Sequence, residues 1–400
     1  MILNQFLLNN PNWVNSVRLR YTWQTAIKRG IQGNERRTKL KSWPRRSIAW
    51  SHQISTNYQR NLFLRKAFFN LQNVFGIPLW PYQTYLTQAA SIDDTVIYCS
   101  TDYCNFANNQ IVLITADFID YDYGIISSFD STSITLSAGL TNDFVLGAKV
   151  FPVLQARASD TTSFSTDHIT GKISTIDFDF SEAYEDSQIF TFGSNSYSTY
   201  NSYYILNNEP NWIKTQEITL RKPFEVLSNI GIDNSYCYQS ETDFSMALRY
   251  SLYTAESINK FENFFNNMAG RYGNFWTPTW SNDFVITSAI ANTDTSLTIE
   301  NINYQQNWLT NDLIGRIIFI KYGSSEVARK ITSAPSATSI NLDSAIGIDV
   351  SEDGLRSIVS CFLLPTRFDI DELEIEYITD SKAEVEVRLL SLNDSDMIPT

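Results

Sequence analysis

Hydrophobic and polar residues alternate with period two along much of this chain. Val17-Arg18-Leu19-Arg20-Tyr21-Thr22-Trp23 puts every second side chain on an apolar face, as a half-buried strand requires. Ser47 to Ile54 alternates more loosely and reads as its partner. Short β-runs follow at 95–99, 111–115, 123–129 and 132–138, separated by Asp, Asn and Gly turns, and a pair at 148–157 and 172–180 closes this series. Late in the chain, Glu372-Leu373-Glu374-Ile375-Glu376-Tyr377 and Ala383-Glu384-Val385-Glu386-Val387 alternate strictly and expose rows of carboxylates on one side. Two segments switch to helical spacing. One is 57–75, with Leu62, Phe63, Phe69, Leu71 and Val74, closed by Gly76. The other is 255–269, with Ile258, Phe261, Phe264, Phe265 and Met268 on one face.

The order of these elements occurs twice. Leu8-Asn9-Asn10-Pro11-Asn12-Trp13 returns as Leu206-Asn207-Asn208-Glu209-Pro210-Asn211-Trp212, and the run Ile126 to Leu136 returns as Ile331 to Leu342. Each copy reads Asn-Trp, strands, an aromatic helix, a Trp-Pro segment, then short strands. The period is too long for a solenoid. The expected fold is therefore mainly β: two tandem, duplicated β-barrel or β-sandwich domains, each with one packed α-helix. The first copy spans 1–180 and the second 206–400. Between them, 181–205 is a Ser-, Tyr- and Asn-rich linker whose tyrosines suggest that it lies over a surface.

Composition supports a β-rich, core-forming chain: 43% of the 400 residues are hydrophobic and 14% aromatic. The net charge of −13 conceals an asymmetry. Residues 1–70 hold 13 Lys or Arg and one acid, Glu35, leaving 17 basic and 42 acidic residues for the rest. Much of the positive charge lies between Lys28 and Arg46, read here as a long polar loop. Arg29, Arg36, Arg37, Arg45 and Arg46 are its candidate contact residues, because guanidinium groups grip carboxylates bidentately. Three readings stand: a solvated face, a protein contact and a polyanion site. The acidic excess elsewhere in the same chain favours another copy of the protein as partner and disfavours nucleic acid.

Signals for chemistry are sparse. No apolar run is long enough to span a membrane as a helix, and the first residues lack the basic n-region of a signal peptide, so the expectation is a chain retained in the cytoplasm where it is made. The four cysteines, Cys99, Cys104, Cys237 and Cys361, form no CxxC pair and are expected as buried or half-buried free thiols. His52 and His168 have no nucleophile motif beside them, and neither a P-loop nor G-x-G-x-x-G occurs. Paired acids such as Asp177 and Asp179 fit an outward strand face as well as a catalytic pair. No catalytic residue, metal or cofactor is assigned, and the chain is not expected to be an enzyme. Trp80-Pro81-Tyr82 and Trp276-Thr277-Pro278-Thr279-Trp280 could stack on sugar rings, but as helix-terminating segments they fit core packing better.

The segment Phe264-Phe265-Asn266-Asn267-Met268-Ala269-Gly270-Arg271-Tyr272-Gly273-Asn274-Phe275-Trp276, through Asp283, resembles tail-tip proteins of long-tailed bacteriophages and gene transfer agents. Those commonly carry a helix ending in paired aromatics, then Gly-Arg, then an aromatic strand and an acid. The run from Pro11-Asn12-Trp13 to Pro44-Arg45-Arg46 looks like virion proteins of the same baseplate region. The first copy departs from the pattern, with Val74-Phe75-Gly76 and no Gly-Arg. The resemblance implies a distal-tail-like structural protein of the virion, assembled in the host cytoplasm without a cofactor. It would form a ring joining the tail tube to the distal hub or fibres, with three or six copies. The alternative is a carbohydrate-binding host-recognition module of the tail.

Overall fold

The computed structural model describes residues 6–54, 56, 61, 65, 72–158, 164–166, 173–183, 196–213, 215–228, 234–238, 242–309 and 315–392. The expected helix over 57–75 lies almost wholly outside them. The first half holds β1 (Val17–Thr22), β2 (Thr25–Arg29), β3 (Glu35–Lys39), β4 (Arg45–Gln53), β5 (Phe75–Pro78), β6 (Thr84–Tyr85), β7 (Val96–Tyr98), β8 (Ile111–Thr115), β9 (Tyr121–Phe129), β10 (Ser133–Leu136), β11 (Lys149–Ala158), β12 (Phe164–Thr166) and β13 (Ile173–Glu182). A small hairpin, β14 (Thr199–Tyr200) and β15 (Tyr203–Tyr204), precedes the second half. That half holds β16 (Glu217–Arg221), β17 (Glu225–Leu227), β18 (Asn234–Tyr236), β19 (Asp243–Leu252), β20 (Phe275–Pro278), β21 (Ser296–Thr298), β22 (Ile317–Tyr322), β23 (Ser325–Ser336), β24 (Ser339–Leu342), β25 (Val359–Phe368), β26 (Glu372–Tyr377) and β27 (Ala383–Ser391). The fold is mainly β, as the alternation and composition imply.

Strand pairing repeats between the halves. The antiparallel series β7–β10–β9–β8–β11 matches β21–β24–β23–β22–β25. Likewise β1–β4–β13–β12 matches β16–β19–β27–β26. Backbone details repeat too. Leu7 N donates to Gly76 O as Leu206 N does to Trp276 O. Asp94 caps the amide of Ser91 as Asp294 caps that of Ala291, and Asp143 accepts from Ile92 N as Asp349 does from Asn292 N. These carboxylates close turns by accepting from nearby amides, so the Asp positions mark turn geometry.

The two halves do not fold apart. β1 pairs with β26 over its full length, from Val17 opposite Tyr377 to Thr22 opposite Glu372. This joins the two four-stranded series into one antiparallel run, β16–β19–β27–β26–β1–β4–β13–β12, within a 21-stranded sheet that also continues from β13 to β11 and from β27 to β25. One large core contains apolar residues of both halves, and a second, smaller core fills the β21–β25 sheet around Phe284, Tyr304 and Phe362.

The helix Ala255–Met268 packs Ile258, Phe261, Phe264, Phe265 and Met268 into the large core, as the spacing predicts. Thr254 and Ser257 cap each other's backbone at its start. It ends with Ala269 in the left-handed region and Gly270 at φ +64°. Where it is described, the tyrosine-rich stretch packs against the large core, and Tyr197 is itself buried. Tyr197 meets Phe264 edge-on at 5.1 Å, and Tyr200 meets Trp276 at 5.6 Å.

The stretch 28–46 is a correction to the sequence reading. It is no open loop. Residues 25–39 form the β2–β3 hairpin, in register from Thr25 opposite Lys39 to Arg29 opposite Glu35, and Arg45 already begins β4. Its charged residues hid a strand pattern because both faces of the hairpin carry polar groups.

Candidate assembly interface

The seam between the halves is built from one alternating strand against another. On its inner face Leu19, Tyr21, Leu373, Ile375 and Tyr377 are buried. On its outer face the basic row of β1 meets the acidic row of β26. Arg18 lies opposite Glu376 and Arg20 opposite Glu374, and Arg20 pairs with Glu374, with Glu372 at 3.9 Å and with Asp179 at 3.7 Å. Opposite charges across a strand pair reinforce a register that the apolar face already sets.

Beneath the seam lies a buried polar cluster. Tyr82 and Tyr377 both donate to Glu262 Oε1, the latter at 2.8 Å, and Asn105 Nδ2 reaches Oε2 at 3.3 Å. The hydroxyls of Tyr21 and Tyr82 lie 3.1 Å apart. Burial pushes the Glu262 carboxyl up to about 7, although its hydrogen bonds pull it down. Sequence reading missed Glu262. Its signal was spacing: it stands four residues after Ile258 and three before Phe265, on the apolar helix face.

The β2–β3 hairpin lies across the second half and is tied there by charged hydrogen bonds. Arg367 grips Glu35 with Nε and Nη2 at 2.8 and 2.9 Å, both side chains nearly solvent-free. Burial alone would raise the Glu35 carboxyl, but Arg367 outweighs it and holds it below its usual range. Arg37 Nη1 donates to Tyr272 O at 2.8 Å, and Arg29 pairs with Asp243. Asp371 accepts from Thr25 N at 2.9 Å, Thr25 Oγ1 at 2.9 Å and Arg271 N at 3.0 Å. Trp23 Nε1 donates to Asn266 Oδ1 at 3.0 Å. Gly270 sits where this contact is tightest. A Cβ there would stand 2.8 Å from Asp371 Oδ1 and 3.1 Å from Trp23 Cβ. The Gly-Arg pair is thus part of the seam.

Three of the five candidate arginines have partners within one chain. Arg29 and Arg37 reach across to the second half of their own chain, and Arg46 binds Glu182 in β13, with Nη2 to Oε1 at 2.6 Å. For Arg20, Arg29 and Arg46 the balancing acids therefore lie within the same molecule. Arg36 and Arg45 remain exposed.

The second half carries the same surface elements as the first, but uncovered. The repeated pairings align Leu19 with Ile218 and Tyr21 with Leu220. Leu19 and Tyr21 are both 0% exposed, whereas Ile218 and Leu220 are 44% and 67% exposed. In the β17–β18 hairpin, the counterpart of β2–β3, Val226, Leu227 and Tyr236 are exposed, as is Phe224 before it.

Other candidate chemistry is weak. His52 is buried in β4 with Nδ1 2.7 Å from Asn10 O, and burial lowers its pKa. Burial pushes the thiols of Cys99, Cys104 and Cys361 up to about 12; Cys237, against expectation, is exposed. Among the described residues, no group of three His, Cys, Asp or Glu could hold a metal. A cleft of about 370 Å³ beside β19, β26 and β27 is lined by Arg249, Glu374, Glu376, Glu384 and Glu386, and Arg249 pairs with Glu386 at 2.7 Å. Trp80, Trp276 and Trp280, the candidate sugar platforms, are buried. No helix among the described residues is long and apolar enough to cross a membrane. Compared with known proteins, the chain matches no family model and no curated sequence.

Proposed function

We propose that this chain is a structural ring subunit of a phage tail tip or baseplate, joining the tail tube to the distal hub or fibres in the virion. The observation that carries the reading is the doubled half. Two copies of one strand pattern share a sheet through a tight, charged and apolar seam, and the second copy presents the uncovered equivalent of the first copy's seam surface. A chain that already joins its own two halves head to tail has the geometry from which closed rings are built. The tail-tip resemblance at Phe264 to Asp283 supplies the biological setting, and its glycine and arginine lie in that seam. The glycan-binding alternative is weakened by burial of its tryptophans.

Cryo-electron microscopy of virions from the phage encoding this chain tests the reading. The expected result is density for the chain as a ring at the distal end of the tail. Intact virions that lack the chain overturn it.

A further inference from the structure

The run of eight strands ends in β16 on one side and β12 on the other. These edges are not arbitrary. Within the chain, β1 of the first half pairs with β26 of the second. By the repeated pairing, β16 is the equivalent of β1, and β12 is the equivalent of β26. Among the described strands, β16 pairs only with β19, and β12 only with β13. The two edges are therefore the two halves of a second seam, divided between the ends of one molecule.

We propose that β16 of one copy pairs antiparallel with β12 of the next, so that the sheet runs on from chain to chain. This rests on the ring reading and names its contact. The internal seam fixes the register. Leu19 lies opposite Ile375 and Arg18 opposite Glu376. Phe164 stands opposite Ile176 in β12–β13 as Ile375 stands opposite Val385 in β26–β27, and β4 and β19 align Ile176 with Val385. Ile218 of one copy thus faces Phe164 of the next, and Glu217 faces Ser165.

Three features support a second copy as the occupant. First, the contact continues an interface already present inside the chain. Second, Ile218 and Leu220 point apolar side chains into solvent from an edge strand, an arrangement that invites another strand. Third, Arg367, which clasps Glu35 of the overlying hairpin, has its first-half counterpart in Arg157, aligned by β5–β11 and β20–β25. Arg157 is exposed, on the surface where the next copy's β17–β18 hairpin would lie. One operation carries the first half to the second and the second half to the next copy's first, so it either closes a ring or generates a filament.

The test uses the full chain carrying Cys237→Ser, so that this exposed thiol cannot cross-link. Light scattering coupled to size exclusion, at high micromolar concentration, is expected to give a closed oligomer. Ile218→Lys with Leu220→Lys is expected to give monomers with an unchanged circular dichroism spectrum, since both positions are exposed in one chain. Ile218→Cys with Phe164→Cys is expected to form interchain disulfides under mild oxidation. A monomeric parent chain overturns the pairing, as does oligomerisation that survives both lysines. Open polymers that the lysines abolish support the pairing but argue against a ring. A chain absent from virions whose disulfides still form leaves the pairing standing while the tail assignment fails.

Discussion

At the residue scale, the seam concentrates its cost and its specificity in a few buried charges. Arg367 and Glu35 satisfy each other with two short hydrogen bonds out of water. Without Glu35, Arg367 keeps the partly exposed Asp369 at 2.8 Å, but its Nε and Nη2 lose their acceptors out of water, so Glu35→Ala is expected to destabilise the chain by about 3 kcal/mol in urea denaturation. A loss below about 1 kcal/mol, the range of an exposed pair, contradicts this. Gly270→Ala adds a Cβ at positive φ against Asp371 and Trp23, and is expected to lower the midpoint by the equivalent of about 1–3 kcal/mol. Glu262 makes the seam pH-sensitive. Its folded pKa of about 7 stands above the ordinary 4.5, so the folded state holds the proton more tightly. The group's contribution is intact below about 4.5, falls as pH rises toward 7, and is constant above, a total change of about 3 kcal/mol. Tyr21, Tyr82 and Tyr377 face it and are pushed well above their usual range, so they stay neutral throughout. Glu262→Gln is therefore expected to lose less stability than wild type between pH 5 and pH 8. Parallel stability curves for the two proteins would remove Glu262 as the cause.

At the element scale, equivalent strands serve different neighbours. β1 is covered on both edges, and β16 on one among the described residues. Leu19→Ala should cost about 2–5 kcal/mol, the usual range for a buried leucine. Ile218→Ala, at the matching position, should change monomer stability by less than about 0.5 kcal/mol. Urea titration of both variants at low protein concentration checks the contrast. The strands themselves were legible, because period-two alternation is a local property of β1, β26 and β27. The helix Ala255–Met268 was legible for the same reason, since the spacing of its apolar face is also local; its Thr254–Ser257 cap was seen only in the structure. The β2–β3 hairpin was not, since its stabilising partners Asp243, Tyr272, Arg367 and Asp371 lie 200 or more residues away.

At the scale of the whole molecule, the chain behaves as a small assembly covalently joined. Residues 1–183 and 196–400, expressed separately, are expected to associate and co-purify. Because the seam buries apolar strands as well as charges, the complex should persist at high salt, where exposed ion pairs are screened. Dissociation by salt alone would assign the seam chiefly to surface charge. What the sequence determined by itself was the β-rich class, the doubled order of elements and the charge imbalance, since alternation, repeats and composition need no long-range contact to be read. Only the tertiary structure decided where the opposing charges meet. The arginines were visible and so was the acidic excess, but a linear count does not tell whether partners belong to one chain or two. Pairing of β1 with β26 put Arg29, Arg37 and Glu35 against the second half. The same pairing left β16 and β12 at the two ends of the eight-strand run. Strand register over such distances is set by which apolar faces can be buried together, and that is a property of the folded chain.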